Sequence, residues 1–188
     1  MTTMVTLLTE GFADWETALL NAVARSYYGV ETRYATPDGQ PVRSSGGLTV
    51  TPDLSMAGID VEAVDLLVVC GGTAWQSENP PDIGPLLSAF HARGRPIALI
   101  CDAVLAAART GLLDRLRHTG NGVGQLDASR YGGAAHYVDT PGTVSDQRVI
   151  TAPGTAAVQL VSAVLAELGL ADENLAYYLD LHRRQFAA

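Results

Sequence analysis

A doubly wound α/β sandwich, a mostly parallel sheet with helices on both faces, is the fold the sequence predicts, on three observations. Leu66 to Val69 and Ile97 to Ile100 are uninterrupted apolar runs, the pattern of strands covered on both sides in a parallel sheet. Strand-like and helix-like stretches alternate along the chain. The 188 residues, 47% hydrophobic and 17% charged, suit one domain that buries about 70% of its unfolded surface.

In chain order, Val5 to Leu8 reads as a short strand and Thr9-Glu10-Gly11 as a turn. A helix follows over Asp14 to Tyr27, with Ala18, Leu19, Ala22 and Val23 on one face. Val30 to Ala35 alternates as a second strand, Pro37-Asp38-Gly39 is a turn, and Ser44 to Thr51 is a polar β segment suited to a lateral hairpin or edge. The Leu66 strand ends in Cys70-Gly71-Gly72. Pro80 to Arg93 reads as a helix leading into the Ile97 strand, after which Cys101 stands where the strand must become the Ala/Leu-rich helix of Ala103 to Ala108. Gly120 to Tyr131 is Gly-rich and irregular, Val149 to Thr151 is a short strand, and Ala156 to Leu168 and Asp172 to Phe186 are helices.

Twelve basic and twenty acidic residues give a net charge of −8, spread along the chain, which opposes binding to nucleic acid or to anionic membranes. No secretory apolar segment opens the sequence, and no apolar run is long enough to cross a bilayer, so the expected location is cytoplasmic. In that reducing compartment Cys70 and Cys101 are expected to be thiols. No Cys/His cluster has the spacing of zinc ligands, and neither a metal nor a cofactor is expected. The expected partner is a small-molecule substrate.

Ligand sites in open α/β sheets lie beyond the carboxyl ends of the strands, which directs attention to Glu10–Glu16, Cys70–Thr73, Cys101-Asp102 and Pro153–Thr155. A strand-to-helix elbow pushes Cys101 out above the sheet, and the helix N-terminus favours its thiolate. Gly71 and Gly72 let backbone N–H groups face a cleft and, with the Asp102 N–H, form a candidate oxyanion site. Glu16 has two readings: a first-turn acid favoured by the helix dipole, or a proton shuttle beside the thiol. Asp102 favours the helix start but raises the Cys101 pKa by like-charge repulsion, against the dipole. Of His91, His118, His136 and His182, His136 is the first choice for a cysteine partner, against a surface or structural role. Cys70 reads as a small core residue, and Trp75 as packing or as the apolar wall of a small pocket.

Four segments, TEGFADWET with Glu16, VVCGGTAW, ALICDAVLAAARTGLLD around Cys101 and TAPGTAAVQL, resemble in order and spacing the PfpI-like superfamily. That superfamily contains the parkinsonism-associated deglycase, isonitrile hydratases and stress-induced chaperone-glyoxalases. The resemblance covers nearly the whole chain and implies a single domain over residues 1–188 with the flavodoxin-like, class I glutamine amidotransferase-like fold. It implies Cys101 as nucleophile, Glu16 as its acidic partner, Gly72 and Asp102 amides as oxyanion donors, and pairing into a homodimer. Two departures stand out. Asp102 follows the cysteine where relatives carry Ala, Thr or His, and Asn121, in His118-Thr119-Gly120-Asn121, stands where deglycase-type members place a histidine. The expected function is therefore a cysteine-dependent hydrolase, hydratase or glyoxalase-like lyase acting on a small electrophile, with Cys101 as nucleophile, Glu16 as acid/base and His136 as the candidate assistant. The alternatives are a redox or electrophile stress sensor oxidised at Cys101, and a non-catalytic small-molecule binding dimer.

Overall fold

The computed structural model describes residues 1–185. Phe186, where the sequence ends the last helix, lies outside the described residues. The elements follow in the order β1 (Thr3–Leu7), α1 (Asp14–Tyr28), β2 (Glu31–Thr36), β3 (Val42–Arg43), β4 (Thr49–Val50), β5 (Leu54–Ser55), β6 (Leu66–Val69), α2 (Gly84–Ala92), β7 (Ile97–Ile100), α3 (Asp102–Arg109), β8 (Val144–Asp146), β9 (Val149–Ala152), α4 (Ala157–Glu167) and α5 (Glu173–Arg184). Seven strands form one sheet in the order β5-β2-β1-β6-β7-β9-β8. Its pairings are parallel except that between β8 and β9.

Period-two alternation along the central strands explains why their runs are apolar throughout. Val5, Leu7, Leu67, Val69, Ile97 and Leu99 face one side, packed with Leu87 and Phe90 of α2 and the alanine-rich face of α3. Met4, Leu66, Val68, Ala98 and Ile100 face the other, packed with Leu20 and Val23 of α1 and Leu160, Val161 and Val164 of α4. Both faces are covered, as a doubly wound sheet requires.

Most of the expected elements are present, with ends displaced by one or a few residues. The helix expected from Pro80 begins at Gly84: a proline at 81 disfavours the helical conformation at position 80, and the Asp82 carboxylate accepts the Gly84 N–H at 3.0 Å. The polar stretch from Ser44 does form a hairpin, β3 with β4, but outside the main sheet. The sheet edge is instead β5, paired only at Ala35–Leu54 and Thr36–Ser55. Strand β8 has no counterpart in the sequence reading. Its hairpin to β9 turns at Gln147 and Arg148, both with positive φ (45° and 65°), so the turn lacks the glycine or asparagine that would announce it.

Phe90 is fully buried between α2 and the sheet. Phe90→Ala is expected to cost about 3–5 kcal/mol through lost burial and the cavity left behind, read as a lowered urea midpoint with an unchanged slope.

Candidate active site

Strand β7 ends at Ile100, and the next residue turns the chain directly into α3. Cys101 takes φ 59° and ψ −126°, a left-handed conformation that costs a non-glycine residue about 1–3 kcal/mol. The turn is held on both sides. The Cys101 N–H donates to the Ala152 carbonyl of β9 at 2.9 Å, and its carbonyl accepts the Val104 N–H at 3.1 Å. Its side chain is thereby lifted to the carboxyl edge of the sheet, partly exposed.

Glu16 reaches the same edge from the first turn of α1 and is fully buried. Its Oε2 accepts the Gly71 N–H at 2.8 Å and faces the Cys70 thiol at 3.8 Å. Among the described residues its Oε1 has no partner within ordinary hydrogen-bonding geometry. A methyl group placed on Gly154 would lie 3.0 Å from Cys101 Sγ and 3.1 Å from Glu16 Oε1, so thiol and carboxyl converge on the space that this glycine leaves open. Gly71 is constrained in the same way: a Cβ there would fall 2.5 Å from Glu16 Oε2 and 2.6 Å from Cys101 Cβ.

The third side of the sulfur is closed by Asn121. Its Nδ2 donates to Cys101 Sγ at 3.1 Å, while its Oδ1 accepts the Gly154 N–H at 2.8 Å, which fixes the amide with its NH₂ toward the sulfur. The loop carrying Asn121 is pinned to β9, where Thr151 Oγ1 accepts the Thr119 N–H at 2.9 Å. Gln125 then links Asn121 to the elbow. Its Oε1 accepts the Asn121 N–H at 2.6 Å and its Nε2 donates to Asp102 Oδ1 at 3.1 Å. The other Asp102 oxygen accepts from Gln76 Nε2 at 2.8 Å.

Burial dominates the electrostatics. It pushes the Glu16 pKa from 4.5 up to about 7, opposed by the neighbouring Cys101 thiol and the bonds from Gly71 and Cys70 and further raised by the charge of Asp102. Burial likewise pushes the Cys101 thiol up to about 12. The Asn121 donor lowers it, and the neighbouring Glu16 and Asp102 raise it. The like-charge repulsion from Asp102 thus acts together with burial, and with Glu16 ionised the resting sulfur keeps its proton.

Of the residues singled out from the sequence, Cys101, Glu16, Asn121, Gly71 and Asp102 are gathered at one point. Three of the expected roles need correction. The Gly71 N–H is committed to Glu16, which takes it out of the expected oxyanion site and leaves the Gly72 and Asp102 N–H groups as the candidate donors. Trp75 is fully buried in the core, its Nε1 donating to the Cys70 carbonyl at 2.8 Å, and forms no pocket wall. The His136 ring is exposed and makes no hydrogen bond among the described residues; Asn121 holds the place beside the sulfur. His118 is buried edge-on between Tyr131 and Tyr137, bonded to the Leu116 carbonyl at 2.7 Å and the Tyr131 hydroxyl at 3.1 Å, and braces the loop that carries Asn121. Gln76 and Gln125 were not visible as site residues: a glutamine in a turn or irregular segment carries no pattern of its own.

A doubly wound sheet with a cysteine elbow and a buried glutamate defines a class of α/β proteins. The model of the DJ-1/PfpI family matches residues 2–167, and the chain belongs to that family. It is 30% identical over 184 residues to "Uncharacterized protease YdeA" of Bacillus subtilis (strain 168), covering 96% of this chain and 90% of that protein. The DJ-1 superfamily protein Atu0886 from Agrobacterium tumefaciens superposes with a TM-score of 0.92 at 44% identity, over 98% of this chain and 99% of that one. A thiJ/pfpI family protein from Bacillus anthracis gives 0.84 at 27% identity, over 97% and 91%.

The buried Glu16 makes stability depend on pH. Its folded pKa of about 7 lies above the ordinary 4.5, so the fold prefers the protonated carboxyl. Stability from this group is full below about pH 4.5 and is lost as pH rises through 7, on the order of 3 kcal/mol in all. Glu16→Gln, which mimics the neutral acid, is expected to remove that fall, as measured by urea unfolding at a series of pH values.

Proposed function

We propose that this protein is a cysteine-dependent enzyme acting on a small electrophilic substrate, with hydrolase, hydratase or glyoxalase-like chemistry. The observation that carries the reading is the convergence on one strained, partly exposed sulfur of a neutral amide donor, Asn121 Nδ2, and a buried carboxyl with a free oxygen, Glu16 Oε1. A carboxyl with a pKa of about 7 suits proton transfer at neutral pH.

In the first step Sγ bonds to the electrophilic carbon and its proton passes to Glu16 Oε1; on a carbonyl the displaced π pair becomes an oxyanion, and on an isonitrile, which has no oxygen, the attacked carbon takes the proton back from Glu16. The Gly72 and Asp102 N–H groups are the donors for that oxyanion, and Asn121 Nδ2 stabilises negative charge on the sulfur as it develops. In a hydrolysis protonated Glu16 gives its proton to the leaving amine as the oxyanion collapses to a thioester; water then adds to that carbon, Glu16 takes a water proton, and Sγ leaves with the bonding pair and regains the proton. In a hydration water adds in the same way to the thioimidate carbon, and in a glyoxalase-like rearrangement the hemithioacetal isomerises to a hydroxyacyl thioester that water opens, each with Sγ as the leaving group. The burial of Glu16 suits both directions, since neither form is locked in place by an ion pair. The protease name of the Bacillus subtilis relative places amides on the substrate panel beside α-oxoaldehydes and isonitriles.

On such a panel Cys101→Ala should abolish turnover, and Glu16→Gln should lower kcat by about 10²–10⁴-fold. Undiminished activity in Cys101→Ala would falsify the reading; a sensor would instead show selective addition of two oxygens at Cys101 under peroxide, without turnover. Because Glu16 must accept the proton, kcat/KM is expected to rise with pH through about 7 and then level off. A profile flat through that range in the wild type would remove Glu16 from the acid–base role.

A further inference from the structure

Asp102 is the one carboxylate built into the elbow itself, and its position is fixed. Its two oxygens are each held by a glutamine amide from a different segment: Gln76 Nε2 at 2.8 Å from the turn after β6, and Gln125 Nε2 at 3.1 Å from the loop that carries Asn121. Gln125 in turn accepts the Asn121 N–H at 2.6 Å, and Asn121 donates to Sγ. The clamp and the thiol are therefore parts of one continuous hydrogen-bonded frame. An unrestrained aspartate at a helix start can swing toward solvent, whereas this one is held, through Gln125 and Asn121, in the same frame as the reacting sulfur. Its own N–H is a donor of the candidate oxyanion site, so the carboxylate is carried by a residue that a substrate bound there would touch.

We propose that Asp102, clamped between Gln76 and Gln125, is a charge filter that admits uncharged or cationic electrophiles to Cys101 and turns away those carrying a carboxylate next to the reacting carbon. On this basis the substrate class is neutral aldehydes, amides or nitrile-like carbons rather than α-oxo acids. Glutamine amides suit the clamp because they bind both oxygens without neutralising them; an arginine there would cancel the charge. The charge is felt where it matters, since Asp102 raises the proton affinity of both Cys101 and Glu16.

The inference rests on the reading of Cys101 as nucleophile, and alkylation by iodoacetamide and iodoacetate tests the two separately. The reagents are close in shape and differ by one negative charge. In each case Sγ bonds to the methylene carbon, iodide leaves with the bonding pair, and the thiol proton passes through Glu16 to solvent. Because both reagents attack the same thiolate, the ratio of their rates cancels any change in Cys101 pKa. Normalised to free cysteine, the wild-type ratio should favour iodoacetamide, and in Asp102→Asn it should fall by about three- to tenfold. In Gln76→Ala, which frees one oxygen of an exposed clamp, it should fall part of the way. Raising salt should narrow the wild-type ratio and leave that of Asp102→Asn nearly unchanged. Peptide mass mapping identifies the modified residue. Equal ratios in wild type and Asp102→Asn, with Cys101 alkylated in both, overturn the charge filter alone; failure of wild-type Cys101 to react with either reagent overturns the nucleophile reading and the filter with it.

Discussion

A carboxyl group shut away from water, with one oxygen satisfied and the other not, is the constraint around which the carboxyl edge of the sheet is arranged. Burying Glu16 is unfavourable, and the fold offsets the cost with a single backbone donor, Gly71, and a weak thiol contact rather than with an arginine or lysine. That choice dictates the residues around it. Position 71 has no room for a side chain because the carboxyl and the Cys101 Cβ occupy it, and position 154 is bare for the same reason from the opposite side. The positive φ of Cys101 is a second local cost, carried by hydrogen bonds to β9 and into α3. Both departures from what would stabilise a fold fall within one small volume, while the sheet and helices elsewhere obey the ordinary rules of patterning and burial.

Asparagine beside the sulfur changes the chemistry an imidazole would bring. It donates a hydrogen bond but cannot take up a proton, so it lowers the proton affinity of Cys101 without competing for the proton itself. In the proposed reaction, proton transfer then falls to Glu16. On that proposal the division is clean: Asn121 and the backbone amides are the neutral donors, and one carboxyl with a pKa of about 7 is both acid and base. Asp102 pushes against the donors by raising the proton affinity of both ionisable partners. The resting site is therefore a thiol beside a carboxyl rather than a thiolate pair.

How far the sequence revealed all this depends on whether a feature is local. The elbow was legible because an apolar run ends where an alanine-rich helix begins, and the central strands because both their faces are covered. Strands β5 and β8 were not. One makes only two residue pairings, and the other turns through Gln147 and Arg148, whose positive φ values come from the surrounding fold and not from their residue types. Trp75 illustrates a different limit: its place after Gly-Gly suggested a cleft, yet its indole packs inward and its N–H finds the Cys70 carbonyl. His136 and Asn121 show the same limit at the site. Composition favours the imidazole as a cysteine partner, and only the path of the loop, pinned through Thr119 to Thr151, brings residue 121 to the sulfur.

Two thiols face one carboxyl, and the difference between them is a matter of backbone. Cys70 continues the line of β6 and stays fully buried, its sulfur 3.4 Å from the Ala13 carbonyl and 3.5 Å from the Thr17 hydroxyl, and burial raises its pKa well beyond the ordinary thiol range. It is a spectator in any reaction at the sheet edge, yet its identity bears on Glu16. A hydroxyl in its place would donate more strongly to Oε2, favour the ionised carboxylate and draw the Glu16 pKa down from neutrality. A purely apolar side chain would withdraw the contact and push the pKa further up. A thiol, polarizable and only weakly donating, lies between these two, a small downward adjustment beside the burial that raises the Glu16 pKa to about 7.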